Sequence, residues 1–110
     1  MSATEKETLQ PTRVVVLGAG TMGAGIAQCL ADHGHEVTLT DVDPSALQRA
    51  LQRIATSRTT LETAGLQSSD VSTEGERRLT TSTNLETSVS QADLVIEAVP
   101  ENIELKCEVF

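Results

Sequence analysis

The run Arg13-Val14-Val15-Val16-Leu17-Gly18-Ala19-Gly20-Thr21-Met22-Gly23 decides the fold. Its first half is β-branched and apolar without interruption, the pattern of a strand covered on both faces in a parallel sheet. Gly18 closes that strand. From Thr21 to His33, Met22, Ile26, Cys29 and Leu30 recur at helical spacing, and Gly34 stands where a helix end favours a left-handed residue. Glu36-Val37-Thr38-Leu39-Thr40 then alternates polar and apolar side chains and ends at Asp41, a second strand. The opening forty residues therefore predict a βαβ unit.

Asp43-Pro44 supplies an N-cap and a first-turn proline for a second helix. Leu47, Ala50, Leu51, Ile54 and Leu61 carry its apolar stripe as far as Ala64-Gly65. Such a helix runs about 30 Å against about 17 Å for a five-residue strand, so it overhangs the sheet and leaves surface for function. Residues 67–78 read as a loop or as the return limb of a helical hairpin, and Leu79 to Thr83 as a short third strand. Ala92 to Pro100 reads as a buried strand stopped by proline, and Asn102 to Phe110 as the start of a further helix. The expectation is an α/β domain over residues 13–110, a doubly wound parallel sheet ending after its fourth strand. A helical excursion occupies about 44–78 and a polar tail residues 1–12. The fourth strand would then be an exposed edge, predicting self-association.

Composition narrows the partners. The chain has 110 residues, 38% hydrophobic and 22% charged, which is one ordinary globular domain. No apolar stretch exceeds Val14 to Leu17, far short of the roughly 20 residues a membrane span requires. A net charge of −8 repels phosphate backbones and argues against a nucleic-acid partner. Trp and Tyr are absent and Phe110 is the only Phe, so the core rests on Val, Leu, Ile and Ala. Cys29 and Cys107 lack any metal-type or C-x-x-C spacing and are expected to be reduced. His33 and His35 flank Gly34 without further ligands nearby, so no metal site is expected. Met1 to Thr12 has neither a signal nor a transit pattern, and the default compartment is the cytoplasm.

Gly18, Ala19, Gly20, Thr21, Met22 and Gly23 form a G-x-G-x-x-G sequence between a strand and a helix. The first glycine permits the tight turn, the second lets a pyrophosphate approach the backbone, and the third allows close helix–strand packing. The helix N-terminus offers unpaired N–H donors and partial positive charge, so an acidic protein can hold phosphates without a lysine in the loop. Alone, the pattern is equally an ordinary glycine-rich turn. Asp41, 21 residues after Gly20 at the end of the second strand, is placed to accept hydrogen bonds from ribose hydroxyls, or more plainly to cap the next helix. All these features in register point to a Rossmann-like dinucleotide site. A 2′-phosphate would meet Asp41 and Asp43 with no Arg or Lys at positions 42–48, which favours NAD over NADP.

Gly-Ala-Gly-Thr-Met-Gly-Ala-Gly-Ile-Ala-Gln (18–28), His35 to Asp41, and Asp-Leu-Val-Ile-Glu-Ala-Val-Pro-Glu-Asn-Ile-Glu-Leu-Lys (93–106) resemble the N-terminal, NAD-binding domain of the 3-hydroxyacyl-CoA dehydrogenases. The resemblance implies oxidation of the 3-hydroxyl of an acyl-CoA in fatty acid metabolism, with hydride passing to the nicotinamide. It implies cofactor contacts at Gly18 through Gly23, Asp41, Glu101 and Lys106. On the residues alone, Glu101 reads rather as a first-turn acid favourable to its own helix dipole and Lys106 as a solvated helix-face lysine. Ser57 falls where the family has a serine touching coenzyme A, and Arg49 and Arg53 share its stripe on the second helix. A family lysine expected further on has no counterpart, since Ala64 and its neighbours carry no positive charge. The family's His–Glu base, with its assisting serine and asparagine, falls beyond Phe110, so no catalytic residue is assigned here. The chain is expected to be the cofactor-binding portion of a longer enzyme, inactive by itself. A non-catalytic NAD-binding module and the cofactor domain of another Rossmann dehydrogenase are the alternatives. Glu97 reads as a strand-end acid.

Overall fold

A computed structural model of the chain describes residues 12–99 and the backbone of residues 102–107. Strands β1 (Arg13–Leu17), β2 (Glu36–Thr40), β3 (Leu79–Ser82), β4 (Leu94–Val99) and β5 (Asn102–Cys107) form one sheet in the order β3-β2-β1-β4-β5. The first four are parallel. β1 pairs with β2 from Arg13 opposite Glu36 to Leu17 opposite Thr40, and with β4 from Val14 opposite Leu94 to Leu17 opposite Glu97. This register brings the C-terminal ends of β1, β2 and β4 level, so Gly18, Asp41 and Ala98 emerge at one rim.

The alternation within the strands sorts the core into two layers. Val14, Val16, Val37, Leu39, Ile96 and Ala98 belong to one buried cluster together with Ala24, Ala27 and Ala31 of helix α1 (Thr21–Asp32). Those alanines recur at three- and four-residue spacing, a stripe small enough for the helix to lie close on the sheet. Val15 and Val95 point the other way, packing with Ala92 under helix α4 (Leu85–Ser90). Thr40 is fully buried, and its hydroxyl is satisfied by the Val16 carbonyl at 3.1 Å.

Helix α2 (Pro44–Thr63) is capped as the sequence predicts: Asp43 accepts the Ser45 N–H at 2.9 Å and Pro44 opens the first turn. Residues 69–78 form the return limb, helix α3 (Ser69–Arg78), capped by Ser68. Both α2 and α3 pack on α1. At the junction the Arg58 guanidinium donates to the Asp32 carboxylate from Nη2 at 2.7 Å and from Nε at 3.2 Å, with the two side chains only 8% and 3% exposed. Gln67 Nε2 donates to the other Asp32 oxygen at 3.0 Å and to Ser72 Oγ at 2.9 Å. Arg78 caps the Ala31 carbonyl at 3.0 Å. Two cations thus sit at the negative end of α1, the favourable arrangement for the helix dipole.

Two sequence expectations are corrected. The segment after Pro100 is not a helix: residues 102–107 run as β5, antiparallel to β4, from Asn102 opposite Val99 to Cys107 opposite Leu94. Ile103, Leu105 and Cys107 alternate with Asn102, Glu104 and Lys106, so the period of two is as good as the helical one, and the neighbouring ladder decides. β4 is consequently not an edge, which removes the stated basis for self-association through it. The expected tail falls outside the described residues except at Thr12, as do residues 108–110. Among the described residues no helix is long and apolar enough to cross a membrane.

Candidate functional site

At the rim where β1 turns into α1, Gly18 has φ +104°, a conformation that glycine adopts without penalty. A Cβ there would strike the Ala98 carbonyl, and one at Gly23 would strike the carbonyl of Gly18, so both positions are closed to larger residues. Gly20 differs. A Cβ on it would meet nothing within 4 Å, and its extended backbone is open to any residue. The space above Gly20 is therefore left clear by the fold rather than filled by it.

That space is a cleft of about 750 Å³, lined by the Gly18–Gly23 loop, Asp41, Ala46, Arg49, Arg53 and Ala98. α1 points its N-terminus into it with Gly20 as the capping residue, no side-chain cap and no acid in the first turn. The first-turn amides are thus available to an anion. Asp41 stands opposite and is already engaged: Oδ2 accepts the Ala19 N–H at 2.9 Å and Oδ1 the Asp43 N–H at 2.9 Å. The Ala19 amide foremost, then the Asp43 amide, hold its carboxyl below the ordinary carboxylate value, with Arg49 adding a smaller pull. At neutral pH Asp41 is a carboxylate with one lone pair left on each oxygen, an acceptor and nothing else.

The structure brings Gly18, Ala19, Gly20, Thr21, Met22, Gly23 and Asp41 together in one cleft. Ser57 stands apart from its lining, one turn beyond Arg53 on α2, where its Oγ accepts from Gln28 Nε2 at 3.0 Å. Glu101 lies outside the described residues. Lys106 is placed only as backbone of β5, opposite Val95, not on a helix. His33 and His35 lie away from the cleft. The Nδ1 of His33 donates to the Cys29 carbonyl at 2.7 Å, and that of His35 accepts from Thr12 N at 3.3 Å. Among the described residues no three His, Cys, Asp or Glu gather as a metal site.

The cation-free stretch 42–48 ends one residue before an arginine of the cleft. Arg49, immediately past that stretch, lines the cleft, with Nη2 at 3.9 Å from the Asp43 carboxylate. Arg53 lines it too, donating from Nη1 to Thr21 Oγ1 at 2.7 Å. Helical spacing was the available signal: Ala46, Arg49 and Arg53 recur at three- and four-residue intervals, so one face of α2 returns to the rim.

A family profile described as "3-hydroxyacyl-CoA dehydrogenase, NAD binding domain" matches residues 13–110. The chain belongs to this family. It is the family's NAD-binding domain, and NAD is the domain's cofactor. It is 42% identical over 112 residues to a probable 3-hydroxyacyl-CoA dehydrogenase of Caenorhabditis elegans, covering 97% of this chain and 38% of that one. It is 37% identical to a 5-formyl-3-hydroxy-2-methylpyridine 4-carboxylate 5-dehydrogenase of Mesorhizobium japonicum, covering 88% of this chain and 30% of that enzyme. The crystal structure of a 3-hydroxybutyryl-CoA dehydrogenase from Escherichia coli K12 superimposes with a TM-score of 0.77 at 39% identity, over 86% of this chain and 20% of that one. The NAD-binding domain described here thus spans between 20% and 38% of the length of these relatives.

Proposed function

We propose that the chain holds NAD across the Gly18–Gly23 loop and Asp41, as the cofactor-binding part of an enzyme that oxidises the 3-hydroxyl of an acyl-CoA. The observation that carries this reading is the pairing of an ionised Asp41 with the unfilled space over Gly20 and the uncapped start of α1. The residues present fit the cofactor. The first-turn amides of α1 would face the diphosphate, and the spare lone pairs of Asp41 would accept the ribose hydroxyls. When bound, the nicotinamide supplies the hydride-accepting ring. This chain's own part is to bind and orient.

Asp41 is the only carboxylate among the described residues lining the cleft, and its amide partners keep it ionised and engaged. No group there is poised to take a hydroxyl proton. The isolated 110 residues are therefore expected to bind NAD without turning over a 3-hydroxyacyl-CoA. Calorimetric titration with NAD and NADP, beside an absorbance assay for NADH, checks both halves. No binding of NAD by folded protein, or equal affinity for NADP, overturns the cofactor reading; appreciable NADH formation overturns the expectation of inactivity.

The remaining assignments rest on the family likeness and on placement. Residues 13–110 form one domain with an excursion over 44–78. Ser57, with Arg49 and Arg53 on the same stripe, faces the coenzyme A portion of the substrate, and Glu101 and Lys106 complete the cofactor contacts. The setting is fatty acid β-oxidation in the cytoplasm. A second reading is favoured by one observation: the Mesorhizobium japonicum relative, at 37% identity, is named for a pyridine carboxylate substrate. The cofactor domain of a dehydrogenase for a different hydroxylated substrate is therefore the alternative, and binding of coenzyme A by the chain separates the two.

A further inference from the structure

The two arginines that α2 sends to the cleft are not equivalent. Arg49 stands within ion-pair distance of Asp43. Arg53 contacts a neutral oxygen, the Thr21 hydroxyl at 2.7 Å. Among the described residues it is the only cation lining the cleft with no carboxylate within ion-pair distance.

Its location makes that uncompensated charge informative. Thr21 is the first residue of α1, whose opening turn carries no acid. A guanidinium held against the positive end of a helix is electrostatically unfavourable by itself. The hydrogen bond to Thr21 uses one of five N–H donors and leaves the planar fork largely unspent. Both features become favourable when an anion enters the cleft: the helix amides and the guanidinium then act on it together, and the fork matches a phosphoryl group. Thr21 Oγ1, as the acceptor, aims the side chain across the loop.

We propose that Arg53 is a phosphoryl-binding residue of this cleft, gripping a phosphate of an adenosine-diphosphate ligand from the α2 side, beside the first-turn amides of α1. The inference rests on the cofactor reading and extends it. The diphosphate of NAD and that of coenzyme A offer the same chemistry, and Ser57 one turn further along α2 keeps the second source in play.

The test compares the 110-residue chain with Arg53→Gln and Arg53→Lys by calorimetric titration of NAD, of ADP, and of coenzyme A in the presence of saturating NAD. Adenosine, followed by amide chemical shifts, is the ligand without phosphate. Arg53→Gln is expected to weaken a diphosphate ligand about tenfold, the scale of one charge-assisted hydrogen bond. Adenosine binding and the unfolding midpoint should stay unchanged, and Arg53→Lys should recover part of the loss. A loss in the NAD and ADP arms assigns the contact to the cofactor, and a loss confined to coenzyme A assigns it to the substrate. Unchanged affinity in every arm, or an equal loss for adenosine, overturns the proposal. A wild-type chain that binds neither NAD nor ADP overturns the cofactor reading, and this inference with it.

Discussion

Asp41 does two jobs with one carboxylate: it ties the glycine loop to the end of β2 through Ala19, and it presents its remaining lone pairs to the cleft. Asp41→Asn removes the charge and puts an amide donor against one of the two backbone donors. We expect NAD affinity to fall about tenfold and the preference over NADP to narrow, measured by titrating both dinucleotides. The same residue sets an acid limb. Its carboxyl is held below the ordinary value of 3.8 in the folded chain, so the unfolded chain binds its proton first as pH falls. Its contribution to stability is complete above that ordinary value and is lost as pH drops through the folded value. Urea unfolding between pH 5 and about pH 2 should show a shallower acid decline in Asp41→Asn than in wild type. The glycines separate fold from function. Gly23→Ala drives a methyl into the Gly18 carbonyl, which cannot move aside, and should cost about 3 kcal/mol or more. Gly20→Ala meets no atom of the protein and should leave stability within about 1 kcal/mol while abolishing NAD binding. A destabilised Gly20→Ala, or one that binds normally, contradicts that division.

At the scale of elements, α2 and α3 are fastened to α1 by a buried ion pair, its amide neighbour Gln67 and the hydrogen bond from Arg78 to the Ala31 carbonyl. Removing one partner strands a charge in a buried site. Arg58→Met should destabilise the chain by about 3–5 kcal/mol in urea unfolding, and adding Asp32→Leu should restore much of the loss. A single substitution that costs less than the double one would show that the pair does not hold the hairpin. Asp32 and Arg58 are 26 positions apart on different helices, so no local pattern marks them as partners. The parallel strands, α1 and α2 were legible because periodicity and capping residues act within one element. α4 was missed although Asn84 accepts the Thr87 N–H at 3.0 Å as its cap, because six residues give too short a window for a helical period.

For the whole molecule, the reading of residues 102–107 shows where local pattern stops deciding. Their alternation satisfies either period, and the long backbone ladder offered by β4 settles it in favour of a strand. The seven cleft residues from the glycine loop and Asp41 were legible because spacing along the chain translates directly into the level rim of the sheet. Ser57 was not brought into that lining, since helical spacing fixes a face of α2 and not how far the cleft extends along it.

The Ala19–Asp41 bond has a kinetic corollary. A loop already pinned in its receiving shape leaves no slow rearrangement to follow encounter, so stopped-flow mixing with excess dinucleotide should give a single exponential whose rate climbs linearly with concentration. A second phase that saturates would mean the loop reshapes itself after its guest arrives.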